Sequence, residues 1–413
     1  MADMMVEVAG VKFKNPIWLA SGEPTWGFER MKRGIDGGAG GLVAKSLNVP
    51  PPEMRGVYQG KRICVFDEKH QPVQKGKIPR SFTLYYRAVR PGFPDHEDEW
   101  IEELEKSEKY AVQHDAHVIG SLTTMPTEDQ RRVSKKMEQI GLKILEIDAG
   151  CPHFDEYTGD EYRGGNETLV TARTLNDLIR KVKPVTEVVT IPVFVKLSPM
   201  AYSDLVSMTR WAVEKCGAVG VTCHNRFTGL MIDIETGKPY LQGYAGVGGP
   251  WMLPLSLRWV GRIHQTMPKV PILGSSGAYD WQDVVSFLMA GASVGQFCST
   301  VMCKGYKVIK EAITGMNKFL DRKGYKAVRE IIGMASEAAL SYEEIAKLPE
   351  YTSHPRKASV DIQKCIVCEK CLETCWFDAM RKSEGTLKVH RKNCTGCGNC
   401  EIVCPAGAIY WKL

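Results

Sequence analysis

The chain has no stretch approaching the roughly 18 uninterrupted apolar residues of a membrane-spanning helix, and no run of like charge that would make a nucleic-acid or membrane stripe. Its 54 Lys and Arg against 48 Asp and Glu leave a net charge of only +6, so neither nucleic acid nor a membrane is an expected partner. Met1 to Gly10 contains Asp3 and Glu7 and lacks a basic segment followed by an apolar one, so it does not read as an export signal. Low-complexity segments are missing, as is a strand-linked GxGxxG for a nicotinamide domain: GGAGG at Gly37 to Gly41 precedes an apolar run instead of following one. A secreted disulfide framework is disfavoured as well. Eight of the 14 cysteines crowd between Cys365 and Cys404, which fits metal ligation in a reducing compartment and makes the expected location cytoplasmic.

What is present is a chain of 413 residues, 44% hydrophobic, long enough for one large domain and an appendage. Short apolar runs alternate with longer amphipathic stretches, the pattern of parallel strands joined by helices. The strand candidates are Ile17 to Ala20, Gly41 to Lys45, His117 to Ser121, Ile144 to Asp148, Val193 to Leu197, Gly217 to Cys223, Ile272 to Gly274 and Val294 to Phe297. Eight such units match an α/β fold of the (β/α)8 TIM barrel type over residues 1–315 better than an open dinucleotide-binding sheet, which the count alone leaves open. Several runs end in a polar residue that a barrel would gather at one mouth. A hairpin with Gly10 at its turn is expected before the first of them. Lys318 to Leu348 reads as helical and Tyr351 to Lys357 as a linker, which gives a helical extension and linker over 316–355 and a C-terminal domain over 356–413.

That last domain carries the sharpest motif, Cys365-x2-Cys368-x2-Cys371-x3-Cys375, repeated as Cys394-x2-Cys397-x2-Cys400-x3-Cys404-Pro405. In two-cluster ferredoxins such spacing turns three thiolates toward one iron-sulfur cube, while the fourth cysteine ligates the other cube. Cys365, Cys368, Cys371 and Cys404 are therefore assigned to one 4Fe-4S cluster, and Cys394, Cys397, Cys400 and Cys375 to the second. Trp376 stands where a proline commonly follows the fourth cysteine. Paired zinc sites are the bland alternative, but they seldom combine this double spacing with a closing Cys-Pro.

The segments NPIWLASG at Asn15 to Gly22, GGLVAKS at Gly40 to Ser46, EIDAGCPH at Glu146 to His153, FVKLSP at Phe194 to Pro199, GVTCHN at Gly220 to Asn225, GVGGP at Gly246 to Pro250 and ILGSSGAYD at Ile272 to Asp280 occur in an order that resembles the dihydroorotate dehydrogenase superfamily. With the ferredoxin-like tail, the whole chain resembles the FMN-containing catalytic subunits of dihydropyrimidine dehydrogenases. This resemblance implies bound FMN. It carries Ala20, Ser21, Lys45, Ser46, Lys196 and Asn225 into the flavin set, where Lys45 and Lys196 would stabilise negative charge on the reduced ring. Gly248 with Gly249, Ser276 with Gly277, and Cys298 with Ser299 are the candidates for its phosphate, because such residues let backbone amides approach an anion.

On the substrate side the chain departs from the pattern. Asp148 replaces a family asparagine, and Arg226 follows Asn225 where a threonine is common. Asp148, Asn225 and Arg226 are the candidate substrate contacts, and the exchange of a small hydroxyl residue for a cation suggests an anionic ligand. Dihydropyrimidine dehydrogenases take a proton from a loop cysteine, yet none lies between Asp155 and Glu167. Tyr162, Glu161, His153 and His224 are the substitutes considered, each with a structural alternative: loop bonding for His153, surface exposure for Tyr162, packing for His224.

The expected activity is oxidation or reduction of a C=C bond in a small cyclic or conjugated substrate. A related enzyme on a non-pyrimidine, anionic substrate and a non-catalytic electron-transfer subunit are the rivals. Because two cubes carry electrons singly, the expected partner is an FAD- and NAD(P)-binding reductase subunit or a soluble ferredoxin, in a homodimer or hetero-oligomer.

Overall fold

Eight almost wholly apolar runs become the strands of a closed parallel barrel: β1 (Ile17–Leu19), β2 (Gly41–Val43), β3 (His117–Leu122), β4 (Leu145–Asp148), β5 (Val193–Lys196), β6 (Gly220–Cys223), β7 (Ile272–Gly274) and β8 (Val294–Phe297). Strand order around the barrel follows chain order, with β8 closing on β1. Such strands are buried on both faces, which is why they read as continuous apolar runs. The computed structural model describes residues 2–47, 61–73, 76–87, 97–123, 125–151, 171–201, 204–352 and 356–412. Among these, no helix is long and apolar enough to cross a membrane.

The chain divides into two compact units, Met1–Glu337 and Ala338–Leu413. In the first, helices link the strands, and their starts are written in capping residues. Asp204 accepts from the Val206 and Ser207 amides at 2.9 and 3.0 Å, and Thr174 and Asp280 open their helices with reciprocal capping boxes. The hairpin Val6–Val8 with Val11–Phe13 turns at Gly10 as expected. The run expected to be helical from Lys318 to Leu348 is broken. One helix, Lys307–Lys323, ends at a left-handed Gly324, and shorter pieces follow at Val328–Ile331, Met334–Ala338 and Tyr342–Ile345.

A further four-stranded sheet, absent from the sequence reading, is assembled from the insertions after β2 and β6. Its order is Phe227–Gly229, Ala245–Gly248, Thr83–Tyr86, Ile63–Phe66, and Gly246 pairs with Tyr86. Both insertions leave the C-terminal ends of barrel strands, so this sheet belongs to the mouth. Its second strand, AGVG, is glycine-rich and reads as a turn in sequence.

The second unit is built on a twofold repetition, with each half matched 29 residues further on. Asp361 N–H donates to the Ala408 carbonyl at 2.7 Å, and His390 N–H to the Ala379 carbonyl at 2.6 Å. Lys357–Val360 pairs antiparallel with Ile409–Lys412, and Met380–Ser383 with Thr386–Val389. Two single-turn helices, Lys370–Glu373 and Asn399–Ile402, carry Cys371 and Cys400.

Candidate functional site

A cleft opens where β1, β5, β6, β7 and β8 end, at the C-terminal face where barrels of this kind place their chemistry. Ala20 and Ser21 line it after β1, Lys196 at the end of β5, Asn225 and Arg226 after β6, Ser276 and Gly277 after β7, and Cys298 and Ser299 after β8. Gly248 and Gly249 reach it from the added sheet. Gly277 has φ +116°, and a Cβ there would stand 2.4 Å from the Leu253 nitrogen, so only glycine keeps this wall as close as it is.

Lys45, Ser46 and Asp148 sit one step behind this lining. The Ser46 amide donates to Ser21 Oγ at 3.0 Å, and Ser46 Oγ lies 2.8 Å from Ser121 Oγ. Lys45 Nζ stands 3.5 Å from Glu23 Oε1. Asn225 Nδ2 donates to Asp148 Oδ1 at 2.9 Å, which also accepts the Gly150 amide at 3.1 Å. Asp148 thus holds the Asn225 side chain, and Asn225 Oδ1 in turn accepts the Arg226 amide at 2.8 Å.

Beneath Lys196 lies a fully buried Glu146, a residue the sequence motif contains but does not single out. Its Oε2 accepts Thr222 Oγ1 at 2.6 Å and its Oε1 is 3.9 Å from Lys196 Nζ. Burial pushes the Glu146 carboxyl up, while Lys196 and then Thr222 pull it down. Glu23 and Tyr86 were likewise missed. Tyr86 lines the cleft with the Arg226 guanidinium 4.7 Å from its ring centre, and burial, then the neighbouring Glu23 charge, holds its phenol well above the usual range.

His224 does not reach the cleft. The ring is fully buried, with Nδ1 2.5 Å from the Asn225 carbonyl oxygen and Nε2 3.3 Å from Ser256 Oγ. Burial lowers its pKa to about 4, so the imidazole is neutral and committed to fixing the β6 to β7 region, and its candidacy as proton donor is withdrawn. His153, Glu161 and Tyr162 lie outside the described residues.

Gln296 is the least expected member. It lines the cleft from β8, is 2% exposed, and neither its Oε1 nor its Nε2 has a hydrogen-bond partner among the described residues. An orphaned buried amide, two nearby lysines and glycine-rich backbone on several walls fit a planar polar ring with a phosphate arm, such as FMN.

In the second unit, Cys375, Cys394, Cys397 and Cys400 line one pocket. Burial raises the Cys400 thiol to about 11, with Cys394 and Cys397 next among the causes. The Cys371 thiol is raised by burial and then by Cys404, Cys365 and Cys368. Cys375 of the first run thus lines the pocket of the second, and Cys404 is near enough to Cys371 to act on its thiol. Each also accepts a backbone amide, Ala379 N–H to Cys375 Sγ and Ala408 N–H to Cys404 Sγ, both at 3.3 Å. Two sets of four thiols, each half enclosed, suit two iron-sulfur cubes.

Residues 74–320 match the family model described as dihydroorotate dehydrogenase, and residues 358–410 match the 4Fe-4S dicluster domain. The chain is similar to the catalytic subunit of dihydroorotate dehydrogenase B (NAD(+)) of Pyrococcus furiosus, 31% identical over 333 residues that cover 80% of this chain and 98% of that one. The corresponding subunit of Methanocaldococcus jannaschii is 30% identical over 335 residues, 81% of this chain and 98% of the relative. The NAD-dependent dihydropyrimidine dehydrogenase subunit PreA of Escherichia coli is 23% identical over 425 residues, with coverage of 98% and 95%.

Proposed function

Because the chain belongs to the dihydroorotate dehydrogenase family, we propose that its barrel binds FMN and either oxidises a CH–CH bond of a small ring or reduces the corresponding C=C bond, in exchange with electrons carried by the tail. That it is a flavin and iron-sulfur oxidoreductase follows from the family and from the dicluster domain. When bound, FMN supplies hydride exchange and the two cubes supply single-electron transfer.

This chain's own residues have separate tasks. Lys196, buried against Glu146, presents fixed positive charge to the cleft, and Lys45 does so from its pairing with Glu23. Ala20 and Ser21, braced from behind by Ser46, would form a wall for a planar ring. The backbone of Gly248, Gly249, Ser276, Gly277, Cys298 and Ser299 offers amides to a phosphate. The eight tail cysteines hold the clusters in the crossed sets described above, three from one run and the fourth from the other.

The observation that carries this reading is the convergence of Lys196, Asn225, Gln296 and the glycine-rich segments on one cleft at the strand ends. The relatives' names include NAD(+), while this sequence has no strand-linked dinucleotide fingerprint. A separate reductase subunit carrying FAD and NAD(P), or a soluble ferredoxin, is accordingly the electron partner we propose.

Arg226 sharpens the substrate. A guanidinium lining the cleft against Tyr86 favours a ring that bears a carboxylate or another anion over an uncharged pyrimidine. The test is anaerobic stopped-flow absorbance of the reduced, cofactor-replete protein mixed with orotate, uracil, thymine and unsaturated cyclic carboxylates. Rapid flavin reoxidation by an anionic ring supports the reading. Reoxidation by uracil or thymine alone removes the role given to Arg226, and no response to any ring favours a pure electron carrier.

A further inference from the structure

Gln296 faces the interior of the barrel. Its neighbour two residues earlier, Val294, pairs with Leu273, which pairs with Thr222, and Thr222 bonds Glu146 across the inside of the barrel. Gln296 is itself in register with the buried Trp18. It lines the cleft, and both amide atoms go without a partner among the described residues. A buried amide left this way costs stability unless something else bonds it.

An amide offers a carbonyl acceptor and an N–H donor side by side. Its natural complement is a group that shows a donor next to an acceptor, as the imide edge of a pyrimidinedione ring does. We infer that Gln296 is a positioning residue that hydrogen-bonds the imide edge of the bound flavin ring, fixing the ring in the barrel mouth. The inference rests on the proposed FMN site and adds to it a residue from inside a strand.

The expected pattern separates a ligand role from a packing role. Gln296→Met keeps the length of the side chain and removes both polar groups. The apoprotein then loses an unsatisfied amide, so its melting temperature is unchanged or higher, whereas FMN binding weakens. Two lost hydrogen bonds predict a dissociation constant roughly ten- to a hundredfold higher. Gln296→Glu keeps an acceptor and loses the amide donor, and it should shift the flavin absorption maxima and lower the midpoint potential by placing an acid beside the ring.

The measurement is fluorescence titration of flavin-stripped, cluster-replete protein with FMN, alongside apoprotein melting and the flavin spectrum. An FMN affinity within twofold of wild type in Gln296→Met, with an unshifted spectrum in Gln296→Glu, would overturn the assignment while leaving the FMN site standing. A lowered apoprotein melting temperature with unchanged FMN affinity would also overturn it, as the mark of a packing residue. Should Gln296→Met not fold, the Gln296→Glu spectrum decides. Wild-type protein that takes up no FMN would end both readings together.

Discussion

The barrel mouth and the tail solve the same problem, holding an electron carrier, with opposite use of the chain. In the tail, ligands three and four residues apart are delivered by single turns, and one crossing completes each set. In the barrel, Ala20, Lys196, Asn225, Ser276 and Ser299 come from five strand ends, and the fold alone brings them together. A local site should fail piecewise, losing one carrier at a time. A site made by topology should couple its chemistry to the stability of the whole barrel.

The most severe break is predicted for the crossing. Cys375→Ser should abolish the cluster of the second run, held by Cys394, Cys397 and Cys400, leave the first cluster in place, and leave barrel melting unchanged. Iron content falling to about half, with one cluster signal surviving by electron paramagnetic resonance, is the expected outcome. Loss of the first run's cluster instead would refute the crossed assignment.

Next in size is Lys196→Met. It leaves Glu146 buried without its cation, a change of about 3–5 kcal/mol when the carboxylate is charged. Burial already holds the folded-state carboxyl above its ordinary value, so the folded protein binds the proton more tightly than the unfolded chain does. Removing Lys196 raises the folded value further. Stability of the variant should therefore be best at acid pH and fall as pH rises from about 4.5 through the new folded value. Melting curves that run parallel to wild type across that range would contradict the pairing.

Lys45→Ala should be milder for the fold and selective for chemistry. Its partner Glu23 is partly exposed, so little stability is at stake. Loss of positive charge beside the reacting ring should slow substrate-dependent flavin turnover by about 10²-fold, in line with removal of one preorganised charge, with both clusters intact. Normal turnover would defeat the role.

The smallest effect compares the two halves of the tail. Glycines fill the left-handed positions of the second run, Gly396 and Gly398, where the first has Val367 at φ 54° and Glu369 at φ 63°. Glu369→Gly should stabilise the tail by about 1 kcal/mol through relief of that conformation, reduced by the loss of its exposed pair with Lys382 at 2.5 Å. Denaturation followed at the cluster absorbance measures it, and a lowered midpoint would show that the ion pair matters more than the backbone.

The legible parts of the sequence were those with a local signature. The eight barrel strands were found because both their faces are apolar, and the cysteine runs because their spacing repeats. The added sheet escaped because AGVG has too much glycine to read as a strand, and the end of the helix at Gly324 because an apolar spacing continues past it. Gln296 and Glu146 escaped for a different reason. A lone polar residue in an apolar run has no period, and only the closed barrel turns it toward the site. The signal available for Gln296 was its position, a single amide in VGQF just before the segment already suspected of binding phosphate.

In the proposed arrangement one chain joins a two-electron site to two one-electron carriers. Its most direct test is an anaerobic reductive titration of the purified protein, followed by absorbance and electron paramagnetic resonance. About four electron equivalents per chain are expected, two taken by flavin and one by each cube. Uptake of only two equivalents, with no signal from reduced clusters or none from flavin, would contradict that arrangement.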